Sequence, residues 1–174
     1  MGDYMKEYKV GDYLVHETNG VCCVDEIKEM ALAGKGSEKL YYILVPVFHT
    51  KSQVVTPVKS DKARVRDVKP RKELEELFDK VVDLEVIEAD NDRQRGEKYK
   101  EKIACFEPLE LARIVKTVYL RRLVRIQEGK KVMAQDEKML DIAGKKLFEE
   151  MAFSFDIDID DVRNRFLERI NINE

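Results

Sequence analysis

His16 and His49 are the only imidazoles in a chain of 174 residues, and Cys22, Cys23 and Cys105 are the only thiols. Nucleophilic catalysis needs a hydroxyl, thiol or amine beside an oriented base, so one of these histidines, or a perturbed Lys or Glu, would have to serve. His16 adjoins an apolar strand-like run and His49 ends another; both are ordinary places for structural or surface imidazoles. Cys22 and Cys23 are adjacent in a strand-like run, where their side chains point to opposite faces, and Cys105 is remote from both. Thiols without C-x-x-C spacing make neither a disulfide framework nor a zinc site, and they read as small buried hydrophobes. The sequence has no G-x-x-x-x-G-K-[ST], no G-x-G-x-x-G, no H-E-x-x-H and no G-x-S-x-G. No catalytic group, metal or cofactor is therefore expected. An enzyme built on His16, His49 or Cys22 would need those residues to converge in space.

A second chemistry, contact with anions, rests on the cations. Residues 93–131 hold twelve Lys and Arg against five Asp and Glu, a net +7, between −6 over residues 70–92 and −5 over residues 147–174. The whole chain is −3, which argues against a protein that coats nucleic acid over its entire surface. The local surplus suits a nucleic-acid patch, and it equally suits solvated helix faces paired with neighbouring glutamates. Arg95, Lys98 and Lys102 are spaced to share a helical face, whereas Lys98, Lys100 and Lys102 cannot all do so.

Two kinds of element must position these groups. Over residues 9–68, Tyr13-Leu14-Val15, Val21–Ile27, Leu40–His49, Gln53–Val58 and Arg64–Val68 read as short strands. Turns fall at Gly11-Asp12, at Asn19-Gly20, a strong hairpin signal, and at Lys51-Ser52. Pro46 and Pro57 lie within or beside strands, where a missing N–H favours an edge or a bulge. After Pro70 the apolar spacing turns helical. Helices are expected over roughly 71–85, 94–106, 108–126 and 135–153, and a fifth is capped by Asp158. The fold class is thus α+β in two domains. Residues 1–68 form a small SH3-like or Tudor-like β-barrel, and residues 69–174 a compact bundle of about five helices. Phe153 and Phe155 belong either to the end of the bundle core or to an exposed contact patch.

With 44% hydrophobic residues the chain can build a core, and it has no apolar run near the ~20 residues of a membrane-spanning helix. The opening stretch MGDYMKEYKVGDY has no basic region followed by an apolar one, so a cytoplasmic protein without membrane contact is expected.

The run KVGDYLVHETNGVCCVDEI resembles the opening signature of the CarD/CdnL family of bacterial transcription regulators, K-x-G-D-x-V-V-x-P-x-x-G-V. Lys9, Gly11, Asp12, Val15, Gly20 and Val21 match, while Glu17 or a neighbour stands at the family's proline. LYYILVP (40–46), VVTPV (54–58) and VRDV (65–68) resemble its later strands, and KYK (98–100) and DEKMLDIAGKKL (136–147) its helical part. The barrel is also similar to the polymerase-binding domain of the transcription–repair coupling factor. The resemblance implies a non-enzymatic regulator of transcription initiation, associated with the transcription machinery; a monomer is expected, although the sequence leaves the oligomeric state open. Its barrel would bind the lobe of the RNA polymerase β subunit by strand pairing, here through Lys51, Ser52, Gln53, Val54, Val55 and Thr56. Its bundle would contact promoter DNA, mainly backbone and minor groove, near the upstream edge of the melted region, here through Arg95, Lys98, Lys100, Lys102, Arg122, Arg125, Lys130 and Lys138. Relatives insert a Trp into the minor groove. This chain has no Trp, and the corresponding place falls near Arg95, which would supply a cation to the groove or to phosphate. Met30 and Val55 stand where some relatives use arginines against the β lobe. The rival reading is a polymerase- or protein-binding adaptor whose bundle does not touch DNA.

Overall fold

The computed structural model describes residues 6–59 and 64–171; the first residues of the stretch read for a leader lie outside it. The chain divides into two compact units, Met1–Val68 and Lys69–Glu174.

The first unit is an antiparallel sheet of β1 (Tyr13–His16), β2 (Gly20–Met30), β3 (Lys39–Pro46), β4 (Val54–Pro57) and β5 (Val65–Asp67) in the order β4-β3-β2-β1-β5. Consecutive strands are neighbours and β5 returns to β1, which is the plan of a small Tudor-like barrel. The K-V-G-D turn is held by its own chemistry. Gly11 takes φ +90°, a conformation costly for any other residue, and the Lys9 N–H donates to the Asp12 carboxylate at 2.8 Å. The β1–β2 loop is three residues long, because His16 pairs with Gly20, whose φ is +69°. Thr18 and Asn19 N–H groups donate to His16 Nδ1 at 3.2 and 3.3 Å, so this imidazole caps the hairpin turn. A bulge between Val24 and Glu26 shifts the register of β2 against β3. It lets Cys22 and Val24 face the core before it and Ile27 after it. That core consists of Tyr8, Leu14, Cys22, Val24, Tyr42 and Leu44. The Tyr8 N–H donates to Tyr42 Oη at 3.0 Å, and the two rings meet edge-on.

Both prolines obey the ladder. The Val58 N–H donates to the Leu40 carbonyl, and Tyr41 pairs with Pro57. By antiparallel alternation, residues 54, 56 and 58 turn their backbone groups toward β3, while 55 and 57 turn theirs away. Pro57 therefore sits where its absent N–H costs no ladder bond. The Val47 N–H donates to the Val21 carbonyl, so Pro46, paired with Cys22, likewise faces away from β2.

The second unit comprises α1 (Arg71–Asp79), α2 (Asp92–Cys105), α3 (Pro108–Gln127), α4 (Ala134–Phe155) and α5 (Ile159–Asn171), with a 3-10 turn at Val81–Asp83. The helix expected to run to about residue 85 stops at Asp79; Leu84 continues the apolar spacing but belongs to an extended segment. Asn91 caps α2 by accepting the Gln94 N–H at 2.9 Å, and Pro108 opens α3. The long helices α3 and α4 pack together and bury Leu111, Ile114, Val115 and Val118 with Leu140, Ala143, Leu147 and Met151. Fully burying each of these side chains except that of Ala143 contributes about 1.5–3 kcal/mol. Phe78, Phe148, Phe155 and Phe166 stack edge-on where α1, α4 and α5 meet. Phe155 thus belongs to the end of the core.

Candidate functional site

Two surfaces carry the residues singled out in the sequence. The first is the outer side of β4, which pairs with β3 alone among the described residues. The strand begins at Val54, one residue after the expected Gln53, and the Ser52 N–H donates to the His49 carbonyl at 2.9 Å, closing the turn expected at Lys51-Ser52. Lys51, Ser52 and Gln53 are exposed residues leading into it. Val54 is half-buried and Thr56 buried toward the core. Val55 is 46% exposed, and its N–H and carbonyl point to the open side. The edge therefore offers a short, defined template: donor and acceptor at Val55, then an acceptor alone at Pro57.

The second is the basic segment. Residues 84–91 form an extended strap across α2 and α3 that belongs to no helix or strand, and basic side chains satisfy its carbonyls. Lys116 Nζ donates to the carbonyls of Val82 and Leu84 at 2.5 and 2.7 Å, and Arg113 Nε to that of Glu85 at 3.2 Å. Lys98 Nζ reaches the Glu88 carbonyl at 2.8 Å, and Arg95 that of Ala89 at 3.2 Å. The strap's own Ile87 N–H donates to Thr117 Oγ1 at 2.8 Å. Arg95, only 13% exposed, also pairs with Asp92. Lys102 pairs with Glu110, as does Arg113. Burial pushes the Glu110 carboxyl up, but Lys102 and Arg113 outweigh it and hold it below the usual carboxylate range. Burial lowers Lys116, with Asp83 partly opposing.

Arg95, Lys98 and Lys102 thus share one side of α2 as their spacing predicts, and that side faces the strap and Glu110. Lys100 is exposed elsewhere on α2, and Lys138 is exposed on α4. Arg122 is half-buried near the end of α3. Arg125 Nε donates to the Lys131 carbonyl at 2.7 Å, closing the α3–α4 connection, where Lys130 pairs with Glu128.

Residues 8–69 match the family model described as CarD-like/TRCF RID domain, and residues 76–166 match that of the CarD C-terminal domain. The chain belongs to the CarD family. No curated protein matches it. A CarD-family chain is a transcription-associated protein that interacts with RNA polymerase, and the family consists of non-enzymatic regulators. The RID match spans the five strands and the C-terminal match reaches from α1 into α5. No helix among the described residues is long and apolar enough to cross a membrane.

In this CarD protein Arg95 neighbours a polar cluster that sequence reasoning missed. Asp136, 3% exposed, receives Arg121 Nε at 3.0 Å, and Arg121 also lies 3.6 Å from Asp92. Tyr99 is fully buried close by, and its hydroxyl is pushed up to about 12 by burial and by Asp136. Gly96 admits the Gln135 side chain, whose Nε2 would lie 2.3 Å from a Cβ there. The available signal was a glycine in mid-helix, which is costly unless something packs against it. His16 is committed to its turn. Cys22 is buried, with Sγ 3.5 Å from the Gly20 carbonyl.

Proposed function

We propose that this CarD-family protein regulates transcription initiation by binding the lobe of the RNA polymerase β subunit along the open side of β4 and contacting promoter DNA with its helical unit. The outward Val55 N–H and carbonyl carry the first part. Main-chain pairing needs no particular side chain on the edge, so Met30 and Val55 in place of arginines remove charge without removing the template. The protein works as a monomer, in the cytoplasm with the transcription machinery. Once tethered, the helical unit meets DNA at high effective concentration, so its own DNA affinity can be low. It shifts promoter melting only by its differential affinity for the open over the closed promoter; about 1.4 kcal/mol is a tenfold shift.

Arg95, Lys98 and Lys102 are turned to the strap and to Glu110, so Lys100, Arg122 and Lys138 supply the phosphate contacts, joined by Arg125 and Lys130 when these exchange their bonds to the Lys131 carbonyl and Glu128 for phosphate. The same observation favours a second reading, an adaptor that binds polymerase and leaves DNA alone.

Val55→Pro tests the polymerase contact. It removes a donor that faces away from β3, so the sheet keeps its ladder, and capture of a β-lobe fragment should fall by about tenfold or more. Undiminished capture by the proline variant would remove β4 pairing from the account. Converting Arg122, Lys130 and Lys138 to Glu separates the two readings. A shortened open-complex lifetime with intact polymerase binding supports DNA contact, and an unchanged lifetime supports the adaptor.

A further inference from the structure

Beside the end of β4 the first unit carries a groove of about 530 Å³, walled by Tyr8, Ile27, Leu40, Tyr42 and Val58. It is preformed. Tyr42 is buried and tied to the Tyr8 backbone, and Lys6 lies over the Tyr8 ring while paired with Asp67. Leu40 nevertheless remains 53% exposed, an aliphatic side chain on the core-facing side of β3 with one flank uncovered. Lys39 and Lys59 stand at the rim, and Glu7 is the one carboxylate among the described residues that line the groove.

The sheet register aims this groove at a particular occupant. Leu40 is cross-strand from Val58, Tyr42 from Thr56 and from Ile27, so these groups share one face of the sheet. A strand added to β4 would bond to Val55 and to the Pro57 carbonyl. Its residues opposite Thr56 and Val58 would then turn their side chains to that same face, the one opposite Val55.

We infer that the groove is a side-chain pocket for the polymerase segment that pairs with β4, taking one large apolar residue, opposite Val58, that has a carboxylate beside it for Lys39 and Lys59. The inference rests on the β4-edge reading and supplies what that reading lacks. Backbone pairing gives affinity to any extended chain, whereas a pocket at one register position selects a segment and fixes its alignment.

The test measures the affinity of the full-length protein for a β-lobe fragment in three variants, each with its melting temperature recorded. Leu40→Asp should weaken binding by about tenfold or more, because it puts a carboxylate against an apolar side chain, while Leu40→Met should bind like the parent. The Lys39→Glu/Lys59→Glu double variant, exposed at both sites, should weaken binding and flatten its salt dependence. Parent-like affinity in Leu40→Asp overturns the pocket. Should Leu40→Asp fail to fold, parent-like affinity and salt dependence in the lysine variant overturn it instead. Val55→Pro separates the two levels: weakened binding there with parent-like Leu40→Asp leaves β4 pairing standing without the pocket, and undiminished binding in both removes both.

Discussion

Glu110 shows how single charges in this molecule are set by their partners. Its carboxyl receives Lys102 and Arg113, and together these hold it below the value it has in the unfolded chain. As pH falls, the unfolded chain takes up the proton first, so the stabilisation is whole above the ordinary carboxylate range and disappears as pH drops through the lower folded value. The acid limb of a melting-temperature profile should therefore be shallower in Glu110→Gln than in the parent. An identical limb would show that the pair contributes nothing. Asp67, lowered chiefly by its bond from Lys6, adds a loss of the same sign in the sheet unit.

At the scale of elements the strap decides what the basic residues are for. Thr117 Oγ1 accepts the buried Ile87 N–H and donates to the Arg113 carbonyl at 2.7 Å. Thr117→Val keeps the shape and orphans that N–H, which costs about 1–3 kcal/mol. Amide exchange at Ile87 should accelerate accordingly, and unaltered exchange would mean that the strap is held by packing alone. This is also where the sequence was hardest to read. The +7 of residues 93–131 was plain, but nothing in the spacing of Arg95 and Lys98 says that their targets are carbonyls at Ala89 and Glu88, because such a contact depends on where an irregular segment lies. Leu84 kept helical spacing past the end of α1 for a related reason: it is half-buried on the strap, without any periodicity of its own. The strands were legible because their β-branched runs are bounded by Gly11, Asn19-Gly20 and Lys51-Ser52. The bulge at Asp25 was not, since an extra residue beside Glu26 only lengthens a polar stretch. The Lys51-Ser52 turn was legible, and the Ser52 N–H closes it at His49; only Gln53, which looks like strand, falls outside β4.

For the molecule as a whole, a formal charge of −3 and a basic helical segment together suit the proposed DNA contact, made only once the protein is tethered to polymerase. Converting Arg122, Lys130 and Lys138 to Glu removes up to three cations from phosphate. The log–log salt slope of DNA binding by the polymerase-tethered protein should then fall by about 0.9 for every phosphate left unneutralised. A slope equal to the parent's would place these cations off the DNA. The family resemblance carried across both units in the order in which the chain presents them, which is why the architecture was readable although the chain lacks Trp.

A protein that leaves a strand unpaired at the edge of its sheet runs the risk of pairing with itself. Pro57 bears on that risk. Two copies meeting β4 to β4 would each bring an edge with a donor missing at the same position and an exposed Lys51 ahead of it. The doubled edge would lack bonds at both prolines. A foreign strand meets that gap once, while a twin meets it twice. The imino acid at residue 57 thus weighs against self-pairing at the edge proposed for a partner.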